Sequence, residues 1–239
     1  MNMRGILFVL PLCAGLLTGC DNTQEAQQFE AARMAALKAV NPFLALDTFE
    51  QQSGDYGRFC DSLTDFLFGT VDSRYRACEV RDKATRDIVL KAVEKDSVPA
   101  LVFLFDPDSK TPGVYPRDID AVKAGQAAER LVALAESAPV DRKNQALLMR
   151  AGDVLQAGQY VLQDSRRAAA LYVKAWQAGD QRAAGELVKV YHFLKDSRRT
   201  YFWEVRSKDV LQLDSRADLT GDEIIAIQKL AADSSRANL

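Results

Sequence analysis

The stretch that decides the fold is DSRRAAALYVKA at residues 164–175, which returns 32 residues later as DSRRTYFWEVRS at residues 196–207. Each copy opens with an aspartate, whose side chain favours the cap position of a helix. The apolar residues that follow lie on one face of such a helix. Two copies of one amphipathic helix at a fixed offset predict a repeat architecture, in which stacked helices share a continuous core.

A fainter copy of the pattern lies in the first half of the chain. Five positions correspond: Lys91, Ala92, Ser97, Ala100 and Leu104 match Lys174, Ala175, Asp180, Ala183 and Leu187. The fainter copy includes Val98 to Phe105, which is apolar enough for a buried strand. We predict a helix there because the segment falls within the repeat and Pro99 suits a first helical turn.

Helical patterning extends through most of the remaining chain. Apolar residues recur mostly at three- and four-residue intervals, alanine is abundant, and most prolines fall between the periodic segments. Thr220 and Glu223 have the spacing of a capping box before a final helix over Ile224 to Ala232. The sequence therefore predicts an all-α protein.

Residues 146–207 resemble the Sel-1-like repeat, a relative of the tetratricopeptide repeat. The matching positions are Ala151, Gly152, Gly158, Val161, Asp164, Ala168, Leu171, Tyr172, Lys174, Ala175, Ala178, Gly179, Ala183, Leu187 and Tyr191. Val188 stands where the family usually has glycine, Trp176 where it usually has alanine, and the second unit is shortened after His192. The match is weak over 80–137 and absent over 29–75. The resemblance implies a right-handed superhelix of stacked antiparallel helix pairs with a concave face.

The N-terminus has the pattern of a secretory signal. Arg4 precedes the apolar run from Ile6 to Leu17, which is too short to span a bilayer. Leu17-Thr18-Gly19-Cys20 resembles the bacterial lipobox, in which the cysteine is lipidated and the chain is cut before it. That resemblance implies removal of residues 1–19 and a lipid anchor on Cys20. An ordinary signal with a chance cysteine is the alternative.

These features imply an envelope protein that faces the periplasm. Asp21 resembles the inner-membrane retention signal of enterobacterial lipoproteins, although the outer membrane stays open. The predicted organisation is a signal peptide over 1–19, a flexible tether over 20–28, an N-terminal helical region with degenerate repeats over 29–139, and a Sel-1-like region with a C-terminal capping helix over 140–239.

Charge and cysteine usage limit the functions available. The net charge is −2, and removal of residues 1–19, whose one charged side chain is Arg4, makes it −3, so nucleic-acid binding is not expected. Cys60 and Cys78 would meet an oxidising compartment, which favours a disulfide between them. Two buried free thiols are the alternative.

The sequence offers little for catalysis. His192 is the single histidine, so a triad of a nucleophile with a histidine base could form only there. No metal site or cofactor is predicted. Asp106 with Asp108, and Asp118 with Asp120, are candidate carboxylate pairs. Each pair lies beside proline or serine, where aspartates usually cap helices or form turns. We therefore expect a protein that is not an enzyme.

Partner binding has two candidate signatures. The arginine pairs that open the two repeat helices, Arg166 with Arg167 and Arg198 with Arg199, would recur on one edge and could meet an acidic partner. The alternative is a solvated first turn. Tyr201-Phe202-Trp203 is a dense aromatic cluster, and adjacent helical residues point about 100° apart, so at least one ring should be exposed. Core packing between the repeats is the alternative, and it accounts for at least one of the three rings. Tyr201 and Trp203 are the predicted contacts, and we expect Trp203→Ala or Arg198→Ala to weaken binding without unfolding the chain.

Helical repeats without a catalytic set indicate a protein-binding module. Exported lipoproteins with Sel-1-like repeats resemble immunity proteins for toxic type VI secretion effectors, notably phospholipases. That resemblance implies a partner that is an incoming toxic enzyme. A scaffold or adaptor for envelope assembly or signalling is the alternative.

Overall fold

The computed structural model describes residues 22–57, 71–107, 114–207, 215–233 and 239. Within these ranges it contains ten α-helices and no strand, which confirms the all-α prediction. The helices are α1 (Asn22–Lys38), α2 (Leu46–Gln52), α3 (Val71–Glu94), α4 (Val98–Leu104), α5 (Ala121–Ser137), α6 (Gln145–Ala157), α7 (Ser165–Gln177), α8 (Arg182–Phe193), α9 (Ser197–Arg206) and α10 (Gly221–Ala232). Short 3-10 helices span Pro116–Asp118, Arg142–Asn144 and Ser215–Asp218. None of the described helices combines the length and apolar character needed to cross a membrane.

The predicted helix starts are confirmed. The Asp164 carboxylate accepts hydrogen bonds from the first-turn N–H groups of α7, and Asp196 accepts one from the first turn of α9. Thr220 and Glu223 form the predicted capping box of α10. These side chains satisfy backbone donors that the first turn of a helix otherwise leaves without partners. The segment from Val98 is helical, with Pro99 in its first turn, as the repeat predicts.

One turn recurs at three helix junctions. In each, a residue with positive φ ends the first helix, and the following N–H donates to a carbonyl five positions earlier. The residues are Asp96 and Ser97 with Ala92, Gly179 and Asp180 with Ala175, and Lys195 and Asp196 with Tyr191, at N···O distances of 3.0, 2.9 and 2.9 Å. The first two turns lie at matching positions of the fainter copy and the repeat. The two segments therefore agree in backbone conformation as well as in sequence.

Lys195 adopts the left-handed conformation, with φ of 56°, that glycine accepts at lower cost. We expect Lys195→Gly to raise the free energy of unfolding by up to about 1 kcal/mol, because glycine removes the steric cost of Cβ there. The matched control is Lys189→Gly, within α8, which should lower it by about 1 kcal/mol. Urea denaturation measures both, and two changes of the same sign would contradict the assigned turn.

Two apolar clusters form the interior. The larger runs from Val89 to Ala231, and the smaller unites the inner faces of α1, α2 and α3 around Phe29 and Phe49. Neighbouring residues of α3, Ile88 and Val89, belong to different clusters, so this helix joins the two. Most of the closely packed helix pairs are neighbours along the chain, with α1 against α3 and α4 against α6 in addition.

The last two helices depart from the expected antiparallel pairing. Arg198 Nη1 lies 2.7 Å from Glu223 Oε1 near the starts of α9 and α10, and Arg206 Nε lies 3.1 Å from the carbonyl of Ala231 near their ends. The two helices therefore run parallel. The 3-10 helix at Ser215–Asp218 lies at the starting end of α9, where Ser197 Oγ donates to Asp218 Oδ2 at 2.8 Å. The predicted antiparallel pairing is wrong for this pair, because α10 begins beside the start of α9 and not beside its end.

Residues 22–28, which belong to the predicted tether over 20–28, are helical. Helix α1 already begins at Asn22, and Gln28 Nε2 donates to the carbonyl of Gln52 at 2.8 Å. Polar composition suggested a linker, but residues 24–28 are mostly exposed positions of a helix in which Phe29 is buried. Cys20 lies outside the described residues.

The structure describes one of the two cysteines of the predicted disulfide. Cys78, on α3, is disulfide-bonded. Cys60 lies outside the described residues, so its pairing with Cys78 stays a prediction.

Candidate functional site

The predicted arginine edge is largely engaged in ion pairs within the chain. Arg167 Nε lies 2.8 Å from Glu136 Oε1, Arg198 pairs with Glu223, and Arg199 Nη1 lies 2.6 Å from Asp196 Oδ2. Arg166 is exposed and forms no ion pair with another described residue. Exposed ion pairs of this kind contribute little to stability. They do offset part of the positive charge that was expected to attract an acidic partner.

The expectation of an exposed aromatic ring on α9 is wrong. Tyr201 is 7% exposed, and Phe202 and Trp203 are fully buried. The Trp203 ring packs edge-on against Trp176 and Phe202, with ring centres 5.4 and 5.2 Å apart. Helix α9 is covered by α8 and also by the parallel α10, so rings that point in different directions all find partners. Tyr201 and Trp203 therefore present almost no surface to a partner.

A cavity of about 440 Å³ lies where the ends of α4 and α6 meet the 3-10 helix at Pro116–Asp118. Its apolar and aromatic lining comprises Leu104, Phe105, Tyr115, Pro116, Val154 and Tyr160. The Phe105 and Tyr160 rings are 5.7 Å apart, and the Arg117 guanidinium lies 4.5 Å from the centre of the Tyr115 ring. A concave apolar surface with a few polar groups is the usual form of a binding site.

An ionic network forms the polar wall of this cavity. Arg150 lies between two carboxylates, with Nη2 2.8 Å from Asp106 Oδ1 and Nη1 2.9 Å from Asp153 Oδ2. The buried Tyr172 hydroxyl donates to Asp153 Oδ1 at 2.8 Å. The network joins α6 to α7 and to the end of α4, so it fixes the shape of the wall.

Burial raises the pKa of the Asp153 carboxyl above its ordinary value, although the Tyr172 hydrogen bond and the Arg150 charge act in the opposite direction. The nearby Glu186 carboxylate raises it further. Burial and the Asp153 charge also raise the pKa of Tyr172, so its phenol stays protonated and donates. The negative charge of Asp153 is therefore incompletely compensated by its surroundings.

Partly and fully exposed side chains of α6 and α8 lie beside this wall. On α6 the outward stripe is Ala146, Arg150, Asp153 and Ala157; on α8 it is Arg182, Glu186, Lys189 and Phe193. Both stripes have helical spacing. Arg182 and Glu186 lie close enough to Asp153 to affect its pKa. We call these two stripes, with the cavity, the α6–α8 face.

Gly152 allows α7 to approach α6 at the network. A Cβ at Gly152 would lie 2.5 Å from Cε1 of Tyr172, which is a clash. We expect Gly152→Ala to lower the free energy of unfolding by about 1–3 kcal/mol by overpacking. Gly125→Ala is the control, since its Cβ would lie 3.4 Å from the nearest atom, the carbonyl oxygen of Tyr160. Denaturation curves compare the two, and equal stabilities would contradict the close approach.

Three of the four aspartates of the candidate carboxylate pairs lie within the described residues. Asp120 caps α5, and Asp118 accepts from the Tyr115 N–H, as expected for caps and turns. Asp106 belongs to the cavity wall, whereas Asp108 lies outside the described residues. His192 is exposed near the end of α8.

Sequence reasoning missed Arg150 and Asp153. The available signal was a pair of opposite charges three residues apart within an otherwise apolar helix, a spacing that places both on one face. Across the described part of the chain, no group of three or more His, Cys, Asp or Glu side chains is arranged to hold a metal ion. Comparisons of the chain with protein-family models, curated proteins and solved structures found no match.

Proposed function

We propose that the protein is a non-enzymatic binding module, anchored through a lipid on Cys20 and facing the periplasm, whose α6–α8 face binds another protein. In this proposal the helices form a right-handed superhelix of the Sel-1-like kind, and the α6–α8 face lies on its concave side. Association of each described helix mainly with its chain neighbours supports such an array.

The observation that carries the proposal is the cavity at the ends of α4 and α6. Its volume of about 440 Å³ suits one or two large side chains, and its aromatic lining resembles the pockets that accept hot-spot residues at interfaces. Its wall is held in place by the Asp106–Arg150–Asp153 ion pairs. A preformed pocket reduces the entropic cost of binding.

For the partner we propose a toxic secreted effector, such as a type VI phospholipase, which the protein would bind and neutralise. This proposal comes from the lipobox and the Sel-1-like resemblance together. An immunity protein needs tight binding, nanomolar or stronger, which a central anchored pocket can supply. An envelope scaffold is the alternative, and it would bind several partners more weakly.

Capture of the anchored protein from envelope extracts tests this function. The proposal expects one stoichiometric partner that is an enzyme, and addition of the purified protein should abolish that enzyme's activity. Several substoichiometric envelope proteins, with no enzyme among them, would contradict immunity and favour the scaffold. Detection of labelled lipid on the wild-type chain but not on Cys20→Ala tests the anchor independently.

A further inference from the structure

Two carboxylates and two arginines line the cavity: Asp106 and Asp153, with Arg117 and Arg150. Asp106 and Asp153 share Arg150, and Glu186 is the third carboxylate near them. Both oxygens of Asp153 already accept one hydrogen bond, from Arg150 and from Tyr172. A carboxylate offers about four acceptor positions, so this group can still accept from an additional donor.

The other cations nearby have partners of their own. Arg182 donates twice to Asp180, at 3.0 and 2.7 Å. Lys189 Nζ lies 2.8 Å from Glu186 Oε1, but the Lys189 side chain is 57% exposed, and a pair of this kind is readily exchanged. None of these contacts places a cation other than Arg150 on Asp153. Burial raises the pKa of that carboxyl, while the Arg150 and Arg182 charges lower it.

The aromatic wall suits a planar cation. Tyr115, Tyr160 and Phe105 line the cavity, and the ring of Tyr115 already holds the guanidinium of Arg117 at 4.5 Å. Ring faces attract guanidinium groups, and arginine does so more often than lysine. Arginine also presents a fork of N–H donors that matches a carboxylate, whereas the lysine ammonium is a more strongly hydrated point charge.

We infer that the cavity accepts the guanidinium group of an arginine side chain presented by the partner protein. This inference rests on the proposed function, because it names the chemistry by which the α6–α8 face would hold its partner. The arginine donates to the Asp153 carboxylate while its stem and guanidinium plane lie against the aromatic wall. Binding a cation there offsets the charge that burial leaves incompletely compensated.

The test uses a minimal probe, N-acetyl-L-arginine amide, titrated into the isotope-labelled full chain and followed by amide NMR shifts. The matched probe is the citrulline analogue, which has nearly the same shape and no charge. We expect saturable shifts at residues lining the cavity for the arginine probe and affinity at least about tenfold weaker for citrulline. Asp153→Asn should weaken arginine binding by about tenfold, because the amide keeps an acceptor for Tyr172 but loses the charge.

One control variant and one replacement variant complete the test. Glu129→Gln, an exposed α5 residue outside the cavity lining, should leave arginine binding unchanged. If Asp153→Asn fails to fold, Asp106→Asn replaces it in the test. That substitution removes the second carboxylate and should also weaken arginine binding. Absence of saturable shifts, equal binding of citrulline, or wild-type binding by a folded carboxylate variant would overturn the inference.

The result is separable from the proposed function. A captured effector that binds and is inhibited while the arginine probe does not bind would retain the function and overturn this inference. Arginine binding without any captured enzyme would retain the cavity chemistry and contradict immunity.

Discussion

Trp203→Ala is expected to lower the free energy of unfolding by about 3–5 kcal/mol, the usual cost of truncating a buried tryptophan. The side chain is fully buried, and its ring meets Trp176, Phe202 and the Arg206 guanidinium, which lies 5.5 Å from its centre. Truncation would leave a cavity between α7 and α9. A loss of this size is a large fraction of the stability of a typical domain.

Urea denaturation followed by circular dichroism measures this loss. Arg198→Ala is the matched control, because Arg198 lies on the same helix but its side chain is 53% exposed. We expect a midpoint close to wild type for the control. A folded Trp203→Ala chain with wild-type stability and weakened partner binding would restore the sequence-based expectation and contradict the buried position.

Arg81→Leu is expected to lower the free energy of unfolding by about 2–5 kcal/mol, because it leaves two backbone carbonyls without a donor and each unsatisfied buried group costs about 1–3 kcal/mol. The Arg81 side chain is 7% exposed and donates to the carbonyls of Tyr56 and Gly54, at 2.7 and 2.8 Å, and to Glu50 at 2.8 Å. Its guanidinium also lies 5.6 Å from the centre of the Phe29 ring. Leucine would leave both carbonyls without this donor.

Amide hydrogen exchange separates a local loss from a global one. Because Arg81 connects α3 to the segment after α2, we expect α1 and α2 to lose protection first, while the repeat region from α6 to α9 is less affected. Lys83→Ala on the exposed side of the same helix, which removes a surface pair with Asp87, should cost less than about 1 kcal/mol. Equal effects of the two substitutions would contradict the buried role of Arg81.

Local signals in the sequence predicted local structure well. The Asp164 and Asp196 caps, the Thr220 capping box and the helix after Ser97 all depend on residues close together in the chain. Such features are predictable because their hydrogen bonds form within one or two helical turns. The matched positions around Ala92 and Ala175 also share a turn in the structure, which was not predicted from the sequence.

Long-range arrangement was the part that could not be predicted. The burial of Trp203 depends on its packing against Trp176 of α7, and the parallel direction of α10 depends on its contacts with α9. The cavity wall likewise joins Asp106 to Arg150 across 44 residues. Neither partner differs in sequence from an ordinary surface charge, so the contact appears only when α4 and α6 are packed together.

The most direct test of the central claim is the affinity of the captured partner for a chain whose cavity is filled. Ala157 is exposed and lines the cavity, so Ala157→Trp should occupy it without removing a core side chain. Ala133→Trp, at an exposed α5 position outside the cavity lining, is the control. Calorimetry measures the affinity of the partner for each chain. We expect Ala157→Trp to weaken binding at least about a hundredfold, equivalent to about 2.7 kcal/mol, and the control to bind as wild type. Wild-type affinity for a folded Ala157→Trp chain would contradict binding through the α6–α8 face.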